Sequence, residues 1–301
     1  MRILIIKHGA LGDIIQGLDA FASLRAGFPK AHIAVLTSQN FAPLMREMPY
    51  FNEVIIDKRA PFWQFWEWAS IRAVLRQKFD MIIDLQCSKR TASYHRHLVP
   101  SGTRWLGTAK GCSDAYPDFT NVNNHKRMLT AATMLGISHH EADLSFLVSH
   151  KPPMALGMRP YAILMPGCSP AKPSKKWPHQ NYSALAEYLW QEGITPVLVG
   201  TAIDADDCDA ISHKHDFVHN LCGKTNLSAL ASLCANASYC VGNDSGPVFL
   251  AAKTGAPTLM LMGPDTDPAM SAPTGARARY VKADDLSHLS ADTVIAQLKS
   301  C

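Results

Sequence analysis

SYCVG (238–242), Asn243-Asp244-Ser245-Gly246-Pro247 and VFLAAKTGAPTLMLMGP (248–264) form one continuous stretch, and its reading decides the fold. An apolar strand runs into a polar turn. An apolar helix opens at once over Val248–Lys253, and a second strand, Pro257–Met262, follows Gly255. Strand, turn, helix and strand in this order predict a parallel βαβ unit. Such a turn aims free backbone N–H groups and the positive end of a helix dipole at one spot, which suits a pyrophosphate.

The same style extends outward in both directions. Upstream lie the strand YAILMPG, a helix over 179–192, the strand TPVLVG and helices over 204–214 and 226–235. The first half alternates likewise: ILIIK and a helix over 14–27, HIAVLT and 39–48, EVIID and 62–78, MIIDLQ and 89–98. Alternation of this kind predicts an α/β fold with parallel sheets covered by helices. Between the halves, SHKPPMALGMRP (149–160) is rich in Pro, Gly and Met, lacks a period and reads as a linker. The expectation is two Rossmann-like parallel-sheet domains, 1–150 and 151–301, around a central cleft, with ligands at the carboxyl ends of both sheets. A tail helix over 288–299 ends the chain and is expected to pack back on the N-terminal domain.

The 301 residues are 47% hydrophobic and 18% charged, ordinary for a globular protein of two domains. No apolar run approaches the roughly 20 residues that span a bilayer. The start, MRILIIKHGA, is too short in apolar residues for a signal-peptide core and reads as a first buried strand. Eight cysteines contain no CxxC pair, so a cytoplasmic chain with reduced thiols is expected. Charge is uneven. Residues 1–150 carry net +5 and residues 151–301 net −1, and the segment 58–110 alone carries +7. A basic N-terminal half points to an anionic partner, or simply to a solvated basic face. Nucleic acid is not expected: zinc-finger spacing, aromatic RNA-binding signatures and basic-zipper patterns are missing.

Two turns hold candidate chemistry. The first, Lys7-His8-Gly9-Ala10-Leu11-Gly12-Asp13, follows the first strand. Its glycines, Gly12 among them, allow close approach of backbone to ligand. Asp13 falls at the carboxyl edge of that strand, where a carboxylate can accept a proton from an attacking hydroxyl. Asp is equally a favoured N-cap, so both readings stand. The spacing is not GxGxxG and no acidic residue ends the second strand, which weighs against a nicotinamide enzyme. The second turn runs from Met165 to Pro178. Gly167 and Ser169 can place donors on a phosphate, and Lys175 or Lys176 can neutralise a leaving diphosphate. The competing reading is a basic surface loop, with Trp177 in the core.

GALGDII near the start, KKWP in mid-chain and DSGPVFLAAKTGAPTLMLMGP near the end, in that order, resemble glycosyltransferase family 9, the bacterial heptosyltransferases of lipopolysaccharide core assembly. The resemblance covers nearly the whole chain. It implies a GT-B fold, with acceptor on the first domain and nucleotide sugar on the second. It also implies inverting transfer of heptose from ADP-heptose to a sugar hydroxyl of the lipopolysaccharide inner core, with no cofactor and no required metal. By the same resemblance Asp13 is the general base, and Lys175 is the lysine beside the donor phosphates. Asp244, Ser245 and Gly246, with Pro247, form the turn that cradles the diphosphate. Asp204, four residues after Gly200, stands where the family has a ribose-binding Glu, and Phe249 stands where it commonly has His.

Arg59, Lys89, Arg90 and Arg104, with Lys58, suit an acceptor bearing carboxylates or phosphates. The aromatic segment Pro61–Trp68, with Arg72, Arg76 and Lys78, suits peripheral contact with the cytoplasmic face of the inner membrane. A helix packed on the sheet through Phe62, Phe65, Trp66 and Ala69 is the favoured alternative. The Asp-x-Asp triplets at 204–206, 207–209 and 265–267 resemble the DxD metal motif of other glycosyltransferases but fall on a helix start or loop, and His139, His140, His213 and His215 lack Cys or His partners at zinc spacing and read as surface histidines. Two other functions remain open: an enzyme of this fold with another nucleotide-sugar donor (transferase or epimerase), and a non-catalytic nucleotide- or glycan-binding scaffold.

Overall fold

The computed structural model describes residues 1–61, 63–148 and 159–299. Phe62 and most of the linker stretch, 149–158, lie outside the described residues. The chain divides into two compact units, Met1–Phe146 and Leu147–Cys301.

In the first unit the strands are β1 (Arg2–Ile6), β2 (His32–Ser38), β3 (Glu53–Asp57), β4 (Met81–Asp84), β5 (Arg104–Gly107) and β6 (Asp114–Ala115). The helices are α1 (Leu11–Gln16), α2 (Leu18–Gly27), α3 (Ala42–Glu47), α4 (Phe65–Leu75), α5 (Lys89–His97) and α6 (Asn124–Met134). The sheet is parallel, in the order β3-β2-β1-β4-β5-β6. Leu4, Ile6, Ala34, Leu36 and Ile82 meet Ile71, Leu75, Phe79 and Trp105 in one core. Strands covered on both faces need unbroken apolar runs, and β1 and β4 have them.

The second unit repeats the plan. Its strands are β7 (Tyr161–Met165), β8 (Thr195–Leu198), β9 (His219–Asn220), β10 (Tyr239–Asn243), β11 (Thr258–Met262) and β12 (Ala278–Lys282). Its helices are α7 (His179–Gln191), α8 (Ala205–Ser212), α9 (Leu227–Ala235), α10 (Gly246–Lys253), α11 (Pro268–Ser271) and α12 (Ala291–Leu298). The order β12-β11-β10-β7-β8-β9 is again parallel. Counted from its own first strand, each sheet runs 3-2-1-4-5-6, the dinucleotide-fold order, with its switch point between strands 1 and 4. The two Rossmann-like parallel sheets of the GT-B class are present. Val294 and Leu298 of the tail helix α12 are buried in the core of the second unit.

Three departures from the sequence expectation have local causes. The helix expected over 14–27 is two helices that meet at Gly17, where a Cβ would stand 2.9 Å from Met128 Sδ of α6. Helix α6 itself was not anticipated. The favoured core face of α4 is wrong: Phe65 and Trp66 are 74% and 67% exposed, and Ala69 is exposed too. The buried stripe is Trp68, Ile71 and Leu75, with Trp68 edge-on to Tyr94 at 5.6 Å. Those positions keep a helical period, and the aromatic run before them offers several competing ones.

Candidate active site

In the first unit, the chain leaves β1 at Ile6 and turns through Gly9. Gly9 has φ +137°, and a Cβ there would run into the Phe41 ring, so the position admits glycine alone. Helix α1 starts at Leu11 with Ala10 as N-cap, and no side chain caps it. Asp13, in the first turn, therefore does not cap. Its Oδ1 accepts a hydrogen bond from Asn124 Nδ2 at 2.9 Å. Its Oδ2 lies 3.7 Å from Lys7 Nζ, and the Asp13 side chain is 41% exposed. Lys7 is buried, and burial pulls its pKa below the usual lysine value, with the Asp13 carboxylate opposing that shift. A carboxylate held by one hydrogen bond and one ion pair and open to solvent can take a proton from a hydroxyl brought to it. Gly12 contributes backbone here: its carbonyl accepts from Gln16 Nε2.

Asn124 escaped the sequence reading. The signal was there in Asn123, which caps α6 by accepting the His125 N–H just before the apolar positions Met128 and Ala131. Its partner is 111 residues away in sequence.

The basic residues expected to meet an acceptor fall into different settings. Lys89 opens α5 beyond the carboxyl end of β4 and is exposed. Arg59 is exposed at φ +53°, and its N–H donates to Asp57 Oδ1 at 2.7 Å. Arg90 sits within the fold: it donates to Ala60 O at 2.8 Å, to Asp57 Oδ1 at 3.4 Å and to the Tyr94 hydroxyl, and stacks over Trp68. The buried Asp57 also pairs with His8 Nε2 at 2.9 Å. Burial pushes the Asp57 pKa up, but hydrogen bonds from His8 and Tyr94 outweigh it and hold the carboxyl well below its usual range. A cavity of about 300 Å³ opens beside this cluster, lined by Asp57, Lys58, Glu67 and Arg90 among others. Arg104 stands apart. It begins β5 opposite Met81, the first residue of β4, at the amino edge of the sheet, and its guanidinium is bidentate to Asp114 at 2.8 and 3.0 Å. Arg104, expected to meet an anionic acceptor, thus already holds a carboxylate.

In the second unit the switch point lies between β7 and β10, and one buried side chain joins their two crossovers. Asn243, fully buried, donates to Pro166 O at 2.7 Å and accepts from Trp177 N–H and the Tyr182 hydroxyl, both at 3.1 Å. Trp177 is fully buried and donates from Nε1 to Leu289 O at 2.8 Å. The loop carrying Lys175 is thus anchored two residues downstream. Lys175 Nζ forms an ion pair with Asp244 Oδ2, joining two motifs that the sequence kept 69 residues apart. Thr266, unremarked in the sequence, donates to the same oxygen at 2.7 Å. Asp244 is therefore the holder of Lys175, not a group that could itself donate to a phosphate.

At the start of α10, the Val248 N–H already bonds Ser245 O at 3.1 Å, and Pro247 has no N–H. The donors this turn can offer are the N–H groups of Ser245 and Gly246, so Pro247 serves geometry and not donation. Gly167 and Gly200 face Asp204: a Cβ on Gly167 would strike its carboxylate, and one on Gly200 would stand 3.0 Å from its Cβ. Asp204 Oδ2 accepts from Thr201 N–H and Oγ1 at 2.8 and 2.9 Å. Lys176 turns to Asp207 in α8 instead of joining Lys175, and Ser169 is exposed. Phe249 is buried, 7% exposed. The acidic triplets are spent on separate partners: Asp207 on Lys176, Asp265 on Ser174, and Asp267 on the N-cap of α11.

A family model described as glycosyltransferase family 9 (heptosyltransferase) matches residues 114–294. The chain belongs to glycosyltransferase family 9. It is accordingly a glycosyltransferase. Similar proteins include the lipooligosaccharide heptosyltransferase 2 of Haemophilus influenzae, 27% identical with 94% of this chain and 88% of the relative covered. The lipopolysaccharide heptosyltransferase 2 of Salmonella typhimurium is 28% identical, with the same coverage of 94% and 88%. Among solved structures, E. coli heptosyltransferase WaaC with ADP has a TM-score of 0.82 at 21% identity, covering 100% of this chain and 99% of that one. Among the described residues, no helix of this family-9 chain is long and apolar enough to cross a membrane.

Proposed function

We propose that this chain transfers a heptose from an ADP-heptose to a sugar hydroxyl of a lipopolysaccharide inner core, with inversion at the anomeric carbon. The names of the two relatives, each matched over 94% of the chain, support the substrate class. The observation that carries the mechanism is the Asp13 carboxylate, held by Asn124 and Lys7 and still open to solvent. Asp13 takes the proton from the acceptor hydroxyl as its oxygen attacks the anomeric carbon from the face opposite the diphosphate. The anomeric carbon–oxygen bond breaks, through a transition state of oxocarbenium character. ADP leaves with the bonding electron pair. Lys175 and the N–H groups of Ser245 and Gly246 meet its growing charge, each contact contributing on the order of 2.7–4 kcal/mol by analogy with an oxyanion-hole donor. Asp204 serves the donor ribose, and no metal is required.

The acceptor is anionic and meets Arg59 and Lys89, with the cavity beside Lys58 and Arg90 as its pocket. Trp63, Phe65 and Trp66, all more than half exposed, together with exposed Arg72, Arg76 and Lys78, support a peripheral seat on the cytoplasmic face of the inner membrane. The test is mass-spectrometric transfer from ADP-heptose to heptose-deficient core, with Asp13→Ala alongside. A gain of one heptose by wild type alone is expected. No gain by a protein that still binds ADP would overturn the donor assignment. It would favour another nucleotide sugar, the second reading that buried Phe249 in the family's His position keeps in view.

A further inference from the structure

Sugar transfer leaves one group of ligand-type side chains unused, and it sits in the first unit. Asp19 is in the first turn of α2 and is 4% exposed. His125 is in the first turn of α6, and His139 lies beyond the end of that helix. His125 Nε2 is 2.7 Å and His139 Nε2 3.7 Å from the same oxygen, Asp19 Oδ2. The three ligand atoms all lie within 4.8 Å of one another, the one such group of three or more His, Cys, Asp or Glu among the described residues. Asp19 Oδ1 accepts the Ala142 N–H at 2.8 Å, which fixes the carboxylate plane with Oδ2 turned to both rings.

We propose that Asp19, His125 and His139 form a site for a first-row divalent cation of the zinc type. One histidine satisfies a buried carboxylate oxygen. A second imidazole aimed at the same oxygen from another segment is the arrangement of two nitrogens and one oxygen that zinc takes, with a fourth position for water. Bonds of about 2.0–2.1 Å in tetrahedral geometry set neighbouring ligand atoms roughly 3.3 Å apart. The observed 2.7 and 3.7 Å to Asp19 Oδ2 bracket that spacing. The ion ties three segments that sequence separates: α2, the start of α6 and the stretch at 139–142. Its ligands include the neighbour of Asn124, so it steadies the helix start that faces Asp13 without touching the reacting groups. The inference is independent of which sugar the enzyme transfers.

The test uses the full-length chain without a histidine tag, stripped with chelator and titrated with Co²⁺ while visible absorption is followed. Zn²⁺ then competes. His139→Ala removes an exposed ligand, and His140→Ala, exposed and adjacent, is the control. Melting in chelator verifies that both variants are folded. One equivalent of Co²⁺ with ligand-field bands, displaced by Zn²⁺, is expected for wild type and His140→Ala. Affinity in His139→Ala should fall by about tenfold or more, and Zn²⁺ should raise the melting temperature of wild type and His140→Ala but not of His139→Ala. Binding of no cobalt by wild type, or equal binding by His139→Ala, overturns the site.

Discussion

Asn124→Ala removes the hydrogen bond at 2.9 Å to Asp13 Oδ1 and leaves the carboxylate with Lys7 at 3.7 Å. A hydrogen bond to a charged group contributes about 1.5–3 kcal/mol. The Asp13 side chain is 41% exposed, so water takes part of the vacated place and the lower end applies. About 1–1.5 kcal/mol is roughly a five- to tenfold loss in kcat. Asp13→Ala removes the proposed base and should cost about 10²–10⁴-fold. Asn124 acts through Asp13, so the two effects should not add: the double variant should match Asp13→Ala alone. The assay is initial-rate ADP release with transfer verified by mass, at saturating donor and acceptor. The donor KM should stay at the wild-type value in Asn124→Ala, because the donor is assigned to residues of the other unit. If Asn124→Ala loses the same factor in the Asp13→Ala background, Asn124 has a role of its own. If it matches wild type, the carboxylate is positioned by something else.

Lys175→Ala should lower kcat by about 10²–10³-fold through loss of charge on the leaving diphosphate. Single-turnover kinetics separate that loss from product release. It should also destabilise the fold, since Asp244 is left buried with Thr266 as its remaining side-chain donor, and melting curves report this separately. Asp84→Asn tests a buried carboxyl whose pKa burial raises above 3.8. The wild-type fold resists ionising it, so wild-type stability falls as pH rises from the unfolded value through the folded one. The urea midpoint of Asp84→Asn relative to wild type should therefore climb from acid to neutral pH; a constant difference would remove the linkage. Phe65→Ser with Trp66→Ser should leave stability within about 0.5 kcal/mol, as both side chains are exposed. The same pair should reduce sedimentation with anionic vesicles, and unchanged sedimentation would deny these rings a membrane role.

The legible part of the fold is the part written as unbroken apolar runs. β1, β2, β4, β7 and β11 are buried on both faces and could be read directly. β6 and β9 are two residues each, and β12 (Ala-Arg-Tyr-Val-Lys) is a largely exposed edge strand with two charges in five residues, so none carries an apolar run to read. The site divides the same way. Asp13 and the turn at 244–246 follow strand ends, and a strand end is visible in sequence; Lys175 is legible through the KKWP motif. Their partners are not. Asn124 and Thr266 are chosen by tertiary proximity, as is the role of Asn243 in joining Pro166 to Trp177. The carboxylate partners of the basic residues are equally invisible: Asp114 for Arg104, Asp207 for Lys176 and Asp244 for Lys175.

The aromatic stretch before α4 shows what a missing period means physically. Placed on one ideal helix, rings at 62, 63, 65, 66 and 68 would point in nearly every direction, so no stripe could bury them all. The fold buries the stripe led by Trp68 and leaves Trp63, Phe65 and Trp66 in solvent. Each full burial forgone leaves about 1.5–3 kcal/mol unrealised. These exposed rings beside exposed Arg72, Arg76 and Lys78 therefore form a patch of apolar and cationic surface. An anionic lipid surface answers both halves of that patch at once, rings to the acyl boundary and cations to the head groups. A soluble protein partner would have to supply an apolar pocket and a ring of carboxylates in the same place. Salt distinguishes the two. Vesicle binding through this face should weaken as ionic strength rises and should survive in part through the rings, whereas loss of the rings should leave a purely salt-sensitive residue of binding.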